Sequence, residues 1–133
     1  MKVFVSFVRN RFTSFRCACR GIVLLLKTET HGRLHGLATL CVLLLALLCR
    51  LTGTELALVV IATALVWMAE ALNTALERLA DALMPEEHPL VGQAKDLAAG
   101  AVLVSVLAAV VIGLLVFGPP LCTFVYTVLT RLL

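Results

Sequence analysis

Glu70, Asn73, Glu77 and Asp81 are the residues of this chain best suited to chemistry, because they recur at helical spacing inside and at the end of a greasy stretch. On a helix turning about 100° per residue, Asn73, Glu77 and Asp81 lie roughly 60°, 20° and 20° from Glu70, so the four form one polar ladder about 16 Å tall. Ionisable groups at hydrocarbon depth are costly and mark functional or paired positions. Glu70 and Asn73 fall within the apolar run, whereas Glu77 and Asp81 fall near its end, where water, a metal and a nucleotide have access. Such a ladder suits base chemistry beside lipid combined with cation binding at the surface. The competing reading is an interhelical clamp made by Asn73 and a protonated Glu70, with Glu77 and Asp81 as a solvated helix end beside Arg78.

The elements that must position this ladder are membrane helices. Of the 133 residues, 62% are hydrophobic, and the mean hydropathy is +1.08; an ordinary soluble domain is roughly 45–50% apolar. Three runs, about 34–51, 56–76 and 97–117, each approach the roughly 20 residues that cross a bilayer core as helix. Thr52-Gly53-Thr54-Glu55 is so short a link that the first two must be antiparallel neighbours. Ahead of them, residues 1–33 read as a surface helix, with Lys2, Arg9, Arg16, Arg20 and Lys27 within about 40° on the helical wheel. That stripe suits anionic headgroups, and nucleotide phosphates are a second use for its cations. The concentration of Lys and Arg before the first span puts the N-terminus on the cytoplasmic side. Parity then puts the segment from about Glu77 to Asp96 inside and the C-terminus outside. The chain, 1–133, reads as one domain.

The remaining features frame the ladder. Met84-Pro85-Glu86-Glu87-His88-Pro89 should break the second span into a cytoplasmic loop, since proline cannot continue the ladder of helix hydrogen bonds. Lys95 and Asp96 then open the third helix, where Lys95 suits a polyphosphate and Asp96 a capping or orienting role. Glu29 is the only acid of the N-terminal region and a candidate partner for Glu77 in holding Mg²⁺. Ala98-Ala99-Gly100-Ala101 gives the third helix a face that another helix can approach closely. Gly118-Pro119-Pro120 should end that span, leaving 121–133 as a short interfacial helix with Thr123, Thr127, Thr130 and Arg131 on one stripe. The five cysteines lack metal or disulfide spacing and read as small buried hydrophobes. His31 and His35 read as interfacial polar residues and Trp67 as a packing residue. No cleaved leader is expected, because Gly21 to Leu26 ends at Lys27 without a small-residue cleavage pattern. The phosphate-binding glycine loops and the protein-kinase catalytic loop are absent from the sequence.

At Glu70-x-x-Asn73-Thr74-Ala75-Leu76-Glu77-x-x-x-Asp81, Glu86-x-His88-Pro89-Leu90 and Ala94-Lys95-Asp96-x-Ala98-Ala99-Gly100-Ala101-Val102 the chain resembles the prokaryotic diacylglycerol kinase family, which includes undecaprenol kinases. Ser14-Phe15, Gly21 and Glu29-x-x-x-Arg33-x-His35 extend the resemblance over about residues 14–117. It implies an all-α integral membrane kinase of the bacterial cytoplasmic membrane, with a surface helix, three transmembrane helices and homotrimeric assembly. It also implies that Glu70 is the base toward a lipid hydroxyl and that Glu29 and Glu77 hold Mg²⁺. Lys95 and Asp96 would belong to the ATP phosphate site, Glu86 and His88 to a nucleotide-contacting loop, and Asn73 and Asp81 to the support of the centre. Cys17 and Asn10 depart from the family pattern, where Tyr and Arg are common.

The expected activity is transfer of the γ-phosphoryl group of ATP to a lipid alcohol on the cytoplasmic side. Undecaprenol is favoured over diacylglycerol because Arg33-x-His35 and the segment from His88 to Ala101 look more like the undecaprenol-kinase branch. A non-catalytic helical assembly protein is the alternative of another class. No nucleic-acid partner is expected.

Overall fold

The computed structural model describes residues 2–84, 86 and 88–132, with side chains from residue 11 onward and short of residue 132. Pro85 and Glu87 of the expected loop, and the side chains of Lys2, Arg9 and Asn10, lie outside the described residues. Among the described residues there are four helices and no strand: α1 (Lys2–Thr28), α2 (Thr30–Leu48), α3 (Gly53–Leu83) and α4 (Pro89–Leu132). Helices α2, α3 and α4 are each long and apolar enough to cross a membrane. The chain is an integral membrane protein.

The basic helix ends earlier than residue 33, at a corner centred on Glu29, whose backbone is extended (φ −101°, ψ 129°). Two residues of α2 make this corner. A Cβ on Gly32 would stand 2.7 Å from the Leu25 carbonyl oxygen, so only glycine permits this approach. Arg33 folds back, its Nε donating to Leu26 O at 3.3 Å and its Nη2 to Lys27 O at 2.5 Å. Those carbonyls are among the four that a helix C-terminus leaves without partners. Arg33, read as part of the basic helix, in fact caps it from the next element.

Between α2 and α3 the reversal rests on Arg50 rather than on Gly53. Arg50 has φ 52°, the left-handed conformation that usually falls to glycine at this position. Its N–H bonds to Leu47 O and that of Leu51 bonds to Ala46 O, both at 3.2 Å. Leu51 then packs on the cluster of Ala46, Val59, Val116 and Phe117, which anchors the end of the bundle at the α2–α3 turn. Thr52 and Glu55 form a reciprocal cap on α3: the Glu55 N–H donates to Thr52 Oγ1 at 3.4 Å, and the Thr52 N–H to Glu55 Oε2 at 2.8 Å.

Helix α4 departs from expectation at both ends. It starts at Pro89, the favoured residue for a first helical position, and His88 caps it, Nδ1 accepting from the Leu90 N–H at 3.3 Å. Lys95 and Asp96 therefore sit in the second turn, and Asp96 cannot be the cap. At the far end the helix passes through Pro119 and Pro120 without the expected break, giving 44 residues, about 66 Å at 1.5 Å per residue. Proline's fixed φ is helical, so the rings remove hydrogen bonds without forcing a turn. The threonines of the expected interfacial stripe donate to their own helix, Thr123 to Pro119 O and Thr127 to Thr123 O at 3.0 and 2.8 Å.

Few large side chains are buried. The buried positions of α3 are Val59, Ala62, Val66, Glu70 and Thr74, a spacing of three and four that keeps them on one stripe. The glutamate thus occupies a core position, in series with valines.

Candidate active site

Glu70 is 5% exposed, and its Oε2 lies 3.8 Å from Nε2 of His35 on α2. One turn further along α3, Asn73 Nδ2 donates to Glu77 Oε1 at 3.0 Å. Asn73 Oδ1 is buried without a partner, which leaves one acceptor at the centre of the ladder unused. Exposure rises along the ladder, from buried Glu70 through half-buried Asn73 and Glu77 to exposed Asp81. One face of α3 therefore leads from the hydrocarbon core to water.

The α1–α2 corner is tied to that face by Arg78. Its Nη2 donates to Glu29 Oε1 at 2.6 Å and to Thr28 Oγ1. Hydrogen bonds from Arg78 and then Thr28 hold the Glu29 carboxyl below its usual range. Of Glu29 and Glu77, expected to share a cation, Glu29 meets Arg78, the residue next to Glu77, and Glu77 meets Asn73. Among the described residues the Oε2 atoms of Glu29 and Glu77 have no hydrogen-bond partner, and no three acidic, His or Cys side chains form a ready-made metal site.

On the other side of the ladder, Lys95 Nζ donates to Asp81 Oδ1 at 2.5 Å, linking α4 to α3. Asp81, Met84, Glu86, His88, Val91 and Lys95 surround a basin of about 530 Å³. Four residues singled out from the sequence, Asp81, Glu86, His88 and Lys95, thus share one concavity where α3 ends and α4 begins. Asp96 does not join them: it is exposed and outside the basin lining.

Three participants were not singled out for the site from the sequence. His35 was read as interfacial, Arg78 as a mere neighbour of Glu77, and Trp67 as packing alone. Trp67 also donates from Nε1 to Thr39 Oγ1 at 2.9 Å, and Thr39 Oγ1 donates to His35 O at 2.7 Å. A usable signal existed: His35, Thr39, Val42 and Ala46 repeat at four, three and four, the spacing of a helix stripe packed on another.

The fold and site define an integral membrane protein whose buried carboxylate is joined by a polar face to a surface basin. The chain belongs to the prokaryotic diacylglycerol kinase family, whose family model matches residues 16–117. It is 39% identical over 113 residues, 84% of its length, to undecaprenol kinase of Bacillus subtilis (strain 168), covering 92% of that protein. It is 37% identical over 113 residues to a diacylglycerol kinase of Synechocystis sp., covering 65% of that protein. A diacylglycerol kinase of Escherichia coli (strain K12) is 33% identical over 83 residues, 62% of this chain and 68% of the relative. As a member of this family the chain is a lipid kinase, a phosphotransferase.

Proposed function

We propose that the enzyme transfers the γ-phosphoryl group of ATP to the primary hydroxyl of a membrane lipid, with undecaprenol the favoured acceptor and diacylglycerol the second. The observation that carries this reading is the gradient along α3: a buried carboxylate on one stripe with Val59, Ala62 and Val66 at one end and a polar basin at the other. The 92% coverage of the undecaprenol kinase relative, against 65% and 68% for the diacylglycerol kinases, favours the polyprenol.

In this reading Glu70 accepts the hydroxyl proton as the alcohol oxygen attacks phosphorus and ADP leaves. Asn73 keeps Glu77 oriented through its 3.0 Å hydrogen bond. Glu86, His88, Lys95 and Asp81 receive the nucleotide in the basin, and Asp96, next in sequence to Lys95 but outside the lining, is proposed to assist from the adjoining face of α4. Lys95 exchanges Asp81 for phosphate oxygens, an inexpensive step because the pair is largely exposed and such pairs contribute little. Mg²⁺ enters with ATP as part of the substrate, and the uncommitted oxygens of Glu29 and Glu77 suit a cation that takes one or two carboxylates plus phosphate oxygens. Glu29 and Glu77 would hold the ion, and the chemistry it would supply there is neutralisation of charge on the transferring phosphoryl group.

The assembly is proposed to be a homotrimer in the bacterial cytoplasmic membrane, with the basin facing the cytoplasm as the basic N-terminal segment directs. The small-residue segment Ala98-Ala99-Gly100-Ala101 of α4 supports oligomerisation, because a Cβ on Gly100 meets nothing within 4 Å in the protomer. The test is purified protein in bilayers with labelled ATP and each lipid in turn. Phosphate should pass to undecaprenol more efficiently than to diacylglycerol, and Glu70→Gln should lose about 10²-fold or more. Dominant transfer to diacylglycerol reverses the order of substrates; full activity of Glu70→Gln removes Glu70 as base.

A further inference from the structure

His35 is a half-buried titratable group to which the proposed reaction gives no role. Its side chain is 21% exposed and its Nε2 is the ionisable group beside Glu70, at 3.8 Å. Its backbone is fixed from α3: Trp67 donates to Thr39, and Thr39 donates to the His35 carbonyl. The next residue adds to this restraint, since Gly36 lies close under Leu26 and Trp67. The imidazole is therefore presented to the carboxylate by a helix that the ladder's own helix holds in register.

The other charged groups near the pair are accounted for. On α3, Glu77 is engaged by Asn73 and Arg78 by Glu29. On α2, Arg33 turns away to the end of α1, and His31 lies one turn nearer the surface. Helix α4 brings only Val106, Ala109, Val110, Gly113 and Phe117 to the groove that His35 lines, none of them titratable. Among the described residues, His35 is the group placed to exchange a proton with Glu70.

We propose that His35 is a positioning residue and proton acceptor for Glu70, returning the base to its carboxylate form within each turnover. This rests on the reading of Glu70 as base. The alcohol O–H bond breaks and its oxygen bonds to the γ-phosphorus, while the bond from phosphorus to the ADP oxygen breaks. The proton passes from the alcohol to Glu70, then from Glu70 Oε2 to His35 Nε2, and on to water. The 3.8 Å separation must shorten by about 1 Å to reach hydrogen-bond distance, which a side-chain rotation supplies. Histidine suits the task because it gains and loses protons near neutral pH. A fully buried carboxylate without such a neighbour has no short path for losing the proton it takes up.

The test uses the full-length protein in lipid bilayers, comparing wild type, His35→Ala, His35→Gln and Glu70→Gln with ATP and undecaprenol. Both His35 variants should lose about 10²-fold in kcat near neutral pH, with KM for ATP unchanged. Added imidazole should restore His35→Ala, and the deficit should shrink as pH rises and solvent base takes the proton. Glutamine keeps a donor and most of the volume but cannot carry the proton. Wild-type kcat in His35→Gln, or failure of imidazole to rescue a His35→Ala variant that still binds ATP, overturns the proposal while leaving Glu70 as base. An active Glu70→Gln overturns the base assignment itself and the proposal with it.

Discussion

The α1–α2 corner makes a strong demand on one residue, and Gly32→Ala tests it. The added methyl would stand 2.7 Å from the Leu25 carbonyl oxygen and 3.1 Å from its carbon. Both are backbone atoms, so no rotamer change relieves the clash and the helices must part by several tenths of an ångström. Overpacking of this kind costs about 1–3 kcal/mol. Replacing glycine in a helix recovers up to about 1 kcal/mol, leaving a net destabilisation of roughly 0–2 kcal/mol. The functional loss should be larger than the stability loss, because the same corner carries Glu29, whose 2.6 Å bond to Arg78 fixes the surface helix against α3. Gly36→Ala is the control: its Cβ meets the end of the Leu26 side chain at 3.2 Å, which can swing aside. Unfolding in mixed micelles and lipid kinase activity in bilayers should rank wild type and Gly36→Ala together, with Gly32→Ala below both and its KM for ATP raised several-fold. Equal stability and activity of the two alanine variants would refute the argument that this backbone approach sets the site.

Arg50→Gly should stabilise the protein by about 0.5–1 kcal/mol, because it relieves a non-glycine residue held at φ 52°; denaturant titration in micelles reads this, and a loss of stability counts against the cap described. Arg78→Gln should raise the titration midpoint of Glu29, seen by carboxyl-carbon NMR, because it removes the hydrogen bond that chiefly lowers it. The sign follows from linkage: a depressed folded-state value stabilises at pH above the unfolded carboxylate's value, and that contribution is lost as pH falls through the folded value. The Arg78–Glu29 tie should accordingly persist at neutral pH and fail only in acid, whereas an unchanged Glu29 midpoint in Arg78→Gln would show that the tie does not form.

Much of this organisation was legible in the sequence because the decisive signals are local. The spacing of Glu70, Asn73, Glu77 and Asp81 fixes a common face on any helix, and the apolar runs fix three membrane helices. What was not legible depends on contacts between elements. Glu29 was a candidate partner for Glu77 in holding a cation; that Arg78, one residue further along α3, hydrogen-bonds Glu29 could not be read from spacing alone. Asp96 looked like a cap because the preceding residues were taken as loop; Pro89 nucleates the helix earlier, and the capping acceptor is the His88 ring. The proline pair at 119 and 120 was read as a stop, yet helical φ is what proline prefers, and the helix continues despite the lost hydrogen bonds and the crowding of each ring against the carbonyl one turn back.

Why the proposed base, Glu70, should sit at a core position follows from the two substrates. A lipid hydroxyl reaches the protein from the hydrocarbon side and a nucleotide from water, so the reacting groups must meet across a dielectric step. A single straight helix provides that passage without loops, which cannot face lipid with unpaired backbone groups. Along α3 the side chains change from Val59, Ala62 and Val66 to Glu70 and Thr74 on the buried stripe, and then to exposed Asp81 at the basin. Asn73 and Glu77 pair within α3, and three other elements add cross-links to this helix: His35 of α2 beside Glu70, Glu29 of the α1–α2 corner on Arg78, and Lys95 of α4 on Asp81. The ladder is thus the part of the site that one helix can encode, and its cross-links are the part that requires the fold. Mutations on α3 should strike the chemistry directly, while those at Gly32, Arg33 or Thr39 should act by letting the partners drift from it.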